Sequence, residues 1–412
     1  MSTETARRQP SRWTASSAEG EIEVGLLTGG ADPHYAFGLA TALASQGVRV
    51  DFIGSDVMDA PGLRTTPHLN FLNLRGCIRE DAGLAKKISR VLIYYGRLLR
   101  YVAVAKPRIL HILWNNKFQL LDRTLLMLYY KLLGKTVTLT AHNVNAARRD
   151  SNDSLINRLT LKAQYRLVDH IFVHTEKMKC ELVEDFGVSH HAVTVIPFGI
   201  NNAVPSTGLT ASAAKRRLRI GDGDRTILFF GRIAPYKGLE FLVAAFQRLA
   251  AENPRYRLIV AGELKPGCET YLREVQQAIS GDASAERVTQ RVEYIPDEET
   301  EVYFKAADVF ALPYKEIFQS GVLFLGYSFG LPVVAADVGS LKEDMVEGRT
   351  GLLCQSGDPV DLARVIRTYF ESDLYRELEE RRQEIREYAI ARHSWNTVSQ
   401  ITRAVYEQLL AH

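Results

Sequence analysis

"LFFGRIAPYKGLEFL" (residues 228–242) ends an apolar run in Gly231, then sets Arg232 and Lys237 five residues apart across Pro235. A short apolar run closed by glycine reads as a buried strand, and residues 238–252 carry the spacing of an amphipathic helix. Strand, tight turn and helix in that order are the repeating unit of a parallel sheet. The two cations then stand just past the strand's carboxyl end, where open parallel sheets gather ligands. Lys and Arg on a loop are most often only solvated. A pair aimed at one anion is the alternative, and the neighbouring sequence has to decide.

The alternation runs outward in both directions. Upstream, "EVGLLT" (23–28), "VRVDFIG" (48–54), "RILHILW" (108–114), "TVTLTAH" (136–142), "HIFVHT" (170–175) and "AVTVIPFG" (192–199) are strand-like. Helical stretches separate them, among them a basic one at 84–105 and "DRTLLMLYYKLLG" (122–134). Downstream, "YRLIVAG" (256–262), "RVEYIP" (291–296), "VFALPY" (309–314) and "PVVAAD" (332–337) repeat the pattern. "VPSTGLTASAAKRRLRIGDGD" (204–224) holds no strand and reads as the crossing between two halves. The order predicts an α/β chain of two doubly wound, Rossmann-like parallel-sheet domains, one over 21–203 and one from 204. A cleft between their facing carboxyl edges is the natural binding site.

Composition fits this size. The 412 residues are 46% hydrophobic and 24% charged, enough for two ordinary domains. Cys77, Cys180, Cys268 and Cys354 are scattered without CxxC pairing, which fits neither a zinc site nor a disulfide framework. Reduced thiols and a cytoplasmic setting are the expectation. Residues 1–20 are polar, lack a signal-peptide core and read as a disordered tail. No 18-residue apolar run occurs; "VLIYYGRLLRYVAVAK" (91–106) comes nearest, and Arg97 and Arg100 interrupt it.

The formal net charge of +3 hides an asymmetry. From Lys86 to Arg149 there are 13 Lys and Arg and one acidic residue, Asp122, whereas the rest of the chain holds 38 basic and 47 acidic residues. Such a split points to an anionic partner for the first half, a membrane surface or a phosphorylated ligand, or merely to solvated helix faces.

Three stretches carry candidate chemistry. Arg232 offers a planar fork suited to phosphate, and Lys237 adds a point charge beside a helix N-terminus, so a diphosphate suits the pair. In "LPYKEIFQSGVLFLGYSFGLPVVAADVGS" (312–340), Glu316 lies in a loop after a strand, and Ser320 and Gly321 open a helix whose start accepts anions. Glu316 is equally well a solvated carboxylate beside Lys315. In "LTAHNVNAARRD" (139–150), His142 follows a strand directly, at the carboxyl edge of the first sheet; a lone histidine is usually structural. Arg148 and Arg149 read as surface charge, with contact to an acceptor as the alternative. In "GGADPHYAFG" (29–38), Gly29 and Gly30 permit close backbone approach, with Asp32 and His34 in the same loop.

Taken together, "FFGRIAPYKGLEFLVAAF" (229–246), "RLIVAGE" (257–263), "VEYIPDEETEVYFKAADVFALPYKE" (292–316), "GLPVVAADVGSLKEDMVEGRTGLL" (330–353), "VTVIPFGIN" (193–201) and "HSWNTVSQITRAVYEQLL" (393–410) resemble glycosyltransferase family 4, the retaining sugar-nucleotide transferases of GT-B architecture. The resemblance covers nearly the whole chain beyond residue 20 and is stronger in the second half. It implies an acceptor-side domain over 21–203, a nucleotide-sugar domain over 204–385, and a C-terminal helix, 386–412, packing back on the first. Arg232 and Lys237 match the pair that holds the donor diphosphate and stabilises it as leaving group. His142 matches the histidine that contacts the donor sugar. Glu316 matches the first glutamate of the family's E-x7-E motif, which approaches the transferred sugar. Gly30 falls in the loop whose backbone faces the diphosphate, Tyr294 and Ile295 lie where the base packs, and Ser320, Gly321 and Val322 line the donor site. The implied donor is a UDP- or GDP-sugar, with no cofactor and no metal, and the chain carries no DxD-like metal motif in a plausible loop.

One position departs from the family. Counting back from Pro332, the second glutamate, which holds the ribose, falls at Leu325. Ribose recognition must then come from elsewhere, and a non-catalytic partner subunit of the same fold becomes the competing reading. Another GT-B-shaped enzyme, such as a sugar-nucleotide epimerase, fits "GRIAPYKG" and "VTVIPFGIN" poorly. The leading expectation is a cytoplasmic hexosyltransferase acting on a glycan or lipid-linked sugar during exopolysaccharide assembly. Its basic segment 86–149 would meet an anionic membrane surface, and no nucleic-acid partner is expected.

Overall fold

The computed structural model describes residues 21–30, 32–77, 84–116, 118–149, 152–200 and 204–411. The expected tail, 1–20, lies outside them. Seven strands, β1 (Glu23–Leu27), β2 (Arg49–Gly54), β3 (Leu69–Asn73), β4 (Ile109–Ile112), β5 (Thr136–Thr140), β6 (His170–Val173) and β7 (Val193–Val195), form one sheet in the order β3-β2-β1-β4-β5-β6-β7. Six more, β8 (Arg225–Phe230), β9 (Tyr256–Ala261), β10 (Val288–Arg291), β11 (Val309–Leu312), β12 (Val333–Ala336) and β13 (Gly351–Cys354), form a second in the order β10-β9-β8-β11-β12-β13. Every neighbouring pair in the second sheet is parallel, as are β1 with β2 and β4, β2 with β3, and β4 with β5. Helices connect consecutive strands except β12 and β13, so the expected α/β class with two Rossmann-like sheets is what the chain adopts.

The sequence of β8 shows why. Its side chains alternate between two apolar cores: Ile227 and Phe229 enter one, Leu228 and Phe230 the other. β9 and β11 divide in the same way, Leu258 and Val260 against Ile259 and Ala261, and Val309 and Ala311 against Phe310 and Leu312. A strand buried on both faces has to be apolar at every position, which is what the continuous runs record.

The chain separates into two compact units. One comprises residues up to Thr140 with Arg166–Ile171 and the chain from Ser399 on; the other comprises Ala141–Tyr165 and Phe172–Val398. Within the first unit, Tyr406 of the C-terminal helix Trp395–Leu410 meets buried His111 of β4, Oη to Nδ1 at 2.5 Å, and His111 Nε2 lies 2.7 Å from Thr140 Oγ1.

Two elements differ from the pattern reading. The stretch 122–134 is not one helix: Gln119–Arg123 and Leu125–Leu132 are separated at Thr124 (φ −124°, ψ −81°). The Thr124 hydroxyl donates to the Leu120 carbonyl, supplying the backbone with a side-chain partner at the break. The strand expected at 291–296 lies earlier, at Val288–Arg291, with the Arg291 carbonyl accepting the Gly262 N–H as its last pairing. β10 is an edge strand, and its polar residues Thr289, Gln290 and Arg291 can face water.

Candidate active site

In the second sheet the strand order reverses between β8 and β11, and ligands of open α/β sheets bind outside the carboxyl ends at such a point. Arg232 leaves the end of β8 and Glu316 the loop after β11. Sequence position alone therefore puts both at the place the topology reserves for a ligand.

Lys237 and Arg232 are held differently. Lys237 ends the single 3-10 turn Pro235–Lys237, one residue before Gly238 caps the helix Leu239–Glu252. It is 4% exposed, and its ammonium stands 5.4 Å from the centre of the Tyr314 ring. A burial of this depth for a lysine calls for anionic or aromatic company. Gly231, at φ +98°, is what lets it approach: a Cβ there would lie 3.2 Å from Lys237 Nζ and 3.5 Å from the Val322 methyls. Lys237, the Gly231 backbone and Val322 thus share one corner. Arg232 is exposed, with Nη2 3.9 Å from a Glu263 carboxylate oxygen; an exposed pair at that distance leaves its fork available to a stronger anion.

Glu316 is exposed and its neighbour Lys315 turns away, pairing instead with Glu240. Glu316 lines a cavity of about 590 Å³ within the second unit, together with Arg148, Lys177, Glu181, Asp185 and Asp337. Arg148 lies 3.4 Å from Glu181 and 3.5 Å from Asp185. Burial raises the Glu181 carboxyl above its ordinary range against the lowering effect of Arg148. Charged groups of both signs around one space suit a polyhydroxylated ligand, whose hydroxyls donate and accept.

Ser320 is buried and precedes the helix Gly321–Ser328; its hydroxyl lies 3.3 Å from Tyr314 Oη. Gly321 abuts the Phe198 ring. The loop before them is fixed by a buried polar cluster: Gln319 donates to Asp344 at 2.9 Å, and Ser340 donates to Gln319 at 2.8 Å. Burial pushes Asp344 up to about 7. Leu325, at the position of the family's second glutamate, is 7% exposed and packs in an apolar core. Past β10, the Tyr294 ring is exposed and Ile295 is buried in that same core.

His142 follows β5 and is half-buried beside His174, the first residue past β6. Burial holds His174 neutral, down to about 4. Its Nδ1 lies 3.3 Å from the Ile196 carbonyl, which can only accept, so Nδ1 carries the proton and Nε2 the lone pair. That lone pair faces His142 Nδ1 at 3.0 Å, and His142 donates to it. In neutral His142 the acceptor nitrogen is then Nε2. His174 is a residue the sequence reading missed, although "HIFVHT" ends at the same edge as "TVTLTAH" and one strand away.

In the first unit, Gly29 and Gly30 follow β1, and Gly30 sits at φ +76° where a Cβ would meet Arg75 Nη1 at 2.2 Å. The guanidinium of Arg75 is thus packed on this loop, held by Asn116 and lying 4.8 Å over the Tyr94 ring. Arg75 too was missed, since nothing after "LNFLN" marks it. Asp32 serves the backbone instead, because its carboxylate accepts the Tyr35 N–H and caps the helix Pro33–Ser45. Arg148 touches the cavity described above; the side chain of Arg149 lies outside the described residues.

Two Rossmann-like parallel-sheet domains in tandem are the GT-B architecture. The sequence matches agree: residues 33–204 match the model described as Glycosyltransferase Family 4, and residues 224–372 the model described as Glycosyl transferases group 1. The chain belongs to glycosyltransferase family 4. It is 25% identical over 352 residues, 82% of each chain, to the D-inositol 3-phosphate glycosyltransferase of Corynebacterium efficiens. Among solved structures, sucrose-phosphate synthase from Thermosynechococcus elongatus superposes with a TM-score of 0.76 at 21% identity, covering 95% of this chain and 100% of that one. Anabaena HepE in complex with UDP-glucose gives 0.71 at 16% identity, with 95% and 100% covered. At those identities the structures speak for the fold alone.

Proposed function

We propose that the protein moves a hexose from a UDP- or GDP-sugar to a hydroxyl of a phosphate-bearing acceptor, a lipid-linked or polysaccharide intermediate at the membrane face, with retention and without a metal. The observation that carries this reading is Lys237, buried against Gly231 at the end of β8 with Arg232 exposed beside it. A relative named for inositol 3-phosphate supports an acceptor that bears phosphate.

The chemistry follows from the residue types. As the bond between the anomeric carbon and the diphosphate oxygen breaks, negative charge grows on the departing diphosphate. The Lys237 ammonium and the Arg232 fork meet that charge and need no reorganisation to do so. The acceptor hydroxyl attacks from the same face, and its proton passes to the departing phosphate oxygen. His142 Nε2 accepts a hydrogen bond from a donor-sugar hydroxyl, and Glu316 approaches the same sugar from the loop after β11.

Thermal unfolding with a panel of UDP- and GDP-sugars tests it. A ligand at a hundred times its Kd adds about 2.7 kcal/mol, a shift of a few degrees. A shift with one base series, abolished in Arg232→Ala, supports the reading. Buried Leu325 in place of a ribose-binding carboxylate favours the second reading, a non-catalytic partner subunit, and absence of any shift would select it.

A further inference from the structure

The basic segment can be resolved into a surface. Of the 18 large hydrophobic side chains exposed among the described residues, ten fall between Ile88 and Leu133. Read at 3.6 residues per turn, the helix Leu84–Val104 carries two rows at opposite edges of its exposed side. One is apolar, Ile88, Leu92, Leu99 and Ala103, with Ile88 53% and Leu92 66% exposed. The row at the other edge is basic, Lys86, Arg90 and Arg97, with Ser89, Ile93, Gly96 and Arg100 between the two.

The helix Leu125–Leu132 lies alongside, since Tyr129 Oη donates to the Leu99 carbonyl at 3.0 Å. It presents Leu125, Leu128 and Leu132 at i, i+3 and i+7, exposed by 64%, 46% and 85%. Core-facing helices bury such a row; this one turns it outward. At the edge of the face, Arg75, Lys86, Arg90 and Arg97 surround a cavity of about 470 Å³ with Gly76 and Ser89. Among the described residues none of Lys86, Arg90, Arg97 and Arg100 is ion-paired with a carboxylate. Asp122, the one acid of the segment, is buried and accepts from Tyr95 and Asn116.

We infer that this face, the helices Leu84–Val104 and Leu125–Leu132, docks on an anionic lipid leaflet. The leucines and isoleucines enter the acyl boundary, and the cations around the cavity hold lipid phosphates at head-group depth. An apolar row flanked by Lys and Arg is the composition of an interfacial helix. A protein partner matched to the apolar rows alone would leave the cations unanswered. Arg75, shared between the cavity and the Gly30 loop, places a phosphate held there beside the first strand edge. The inference rests on the proposed function only in calling the docked lipid an acceptor; docking itself needs no donor and no turnover.

The test is co-sedimentation of the full-length protein with vesicles of phosphatidylcholine, with and without phosphatidylglycerol. Binding is expected with phosphatidylglycerol, at least tenfold weaker without it, and reduced by added salt. Arg90→Gln with Arg97→Gln should weaken it about fivefold per cation. The triple variant Leu125→Ser, Leu128→Ser, Leu132→Ser, which touches exposed positions only, should abolish it while leaving the thermal transition in place. Equal binding to both vesicles, binding unaffected by the serine variant, or no binding would overturn the inference. So would a dimer in sedimentation that the serine variant dissolves, which would make the face an interface between two copies. Because the vesicles carry no donor, a silent transferase that still docks, or an active one that does not, separates this inference from the proposed function.

Discussion

His174 Nε2 accepts a hydrogen bond from His142 Nδ1 across 3.0 Å, and the Ile196 carbonyl fixes the direction of that bond. A second histidine, itself held neutral by burial, therefore sets which nitrogen of neutral His142 acts as acceptor. His142→Ala should lower kcat by about 10²-fold if its Nε2 engages the donor sugar, since about 1.4 kcal/mol of transition-state stabilisation is worth each tenfold. His174→Phe keeps the ring volume but removes the acceptor, so kcat should fall by about tenfold with little change in KM. His174→Gln, whose amide oxygen accepts, should recover part of the loss. Equal activity of the Phe and Gln variants would assign His174 to packing alone.

Arg232 and Lys237 should separate by their burial. Arg232 is exposed and weakly paired with Glu263, so Arg232→Ala should leave the unfolding transition within about 0.5 kcal/mol of the wild type. Its kcat should drop by about 10² or more, through lost stabilisation of the leaving diphosphate. Lys237→Met preserves the buried stem against Gly231 and Tyr314 and should match that drop in kcat, also with a native-like transition. Steady-state kinetics on the two variants, read as kcat and KM separately, decide it. Loss confined to KM would restrict the pair to ground-state binding.

How far the sequence carried this reading depended on the range of the signal. β8 was legible because burial on both faces demands an unbroken apolar run, and Gly231 because a strand must stop to turn. Arg232, Lys237 and Glu316 were legible because topology puts residues after β8 and β11 at one edge. His174 and Arg75 were not, because each acts through a neighbour distant in sequence: His142 is 32 residues away, and Gly30 is reached only through the fold. The break at Thr124 escaped the periodicity because leucines on both sides continue the apolar spacing across it. The exposed apolar rows were visible only as an excess charge; that the apolar positions near those charges face outward is a property of packing, not of pattern.

Leu325 offers a direct test of the departure from the family. It lies in an apolar core, and a carboxylate there would be desolvated without a partner. Leu325→Glu should destabilise the protein by about 2–5 kcal/mol at neutral pH and relieve part of that as the pH falls and the carboxyl is protonated. Leu325→Met, close in volume, should cost less than about 1.5 kcal/mol. Denaturant titrations of the three proteins give the comparison. An undiminished stability in Leu325→Glu, with tighter nucleotide-sugar binding, would show that this position can reach a ribose and that the core reading of it is wrong.

His393 and Asp344 titrate with opposite sign, which makes them separable by pH. Burial pushes His393 down to about 4, while its Nδ1 donates to the Phe198 carbonyl at 3.2 Å. Unfolded histidine titrates near 6.5, so between about 6.5 and 4 the unfolded chain takes up a proton that the folded chain refuses. Stability from this residue is present above 6.5 and is lost as the pH falls, by up to about 1.4 kcal/mol per unit. Asp344, pushed up to about 7 by burial, keeps its proton in the fold where the unfolded chain has lost it. Its contribution is full below about 4 and declines as the pH rises towards 7. Other buried carboxylates, Asp308 among them, are raised as well, so the slope of the whole protein mixes signs. Differences between variants isolate each group. His393→Asn, whose amide can still donate to Phe198, should lose less stability than the wild type between pH 6.5 and 4.5. Asp344→Asn should gain on the wild type as the pH rises from 4.5 to 7. Denaturant midpoints at four pH values suffice, and parallel curves for wild type and His393→Asn would mean that this imidazole is protonated inside the fold.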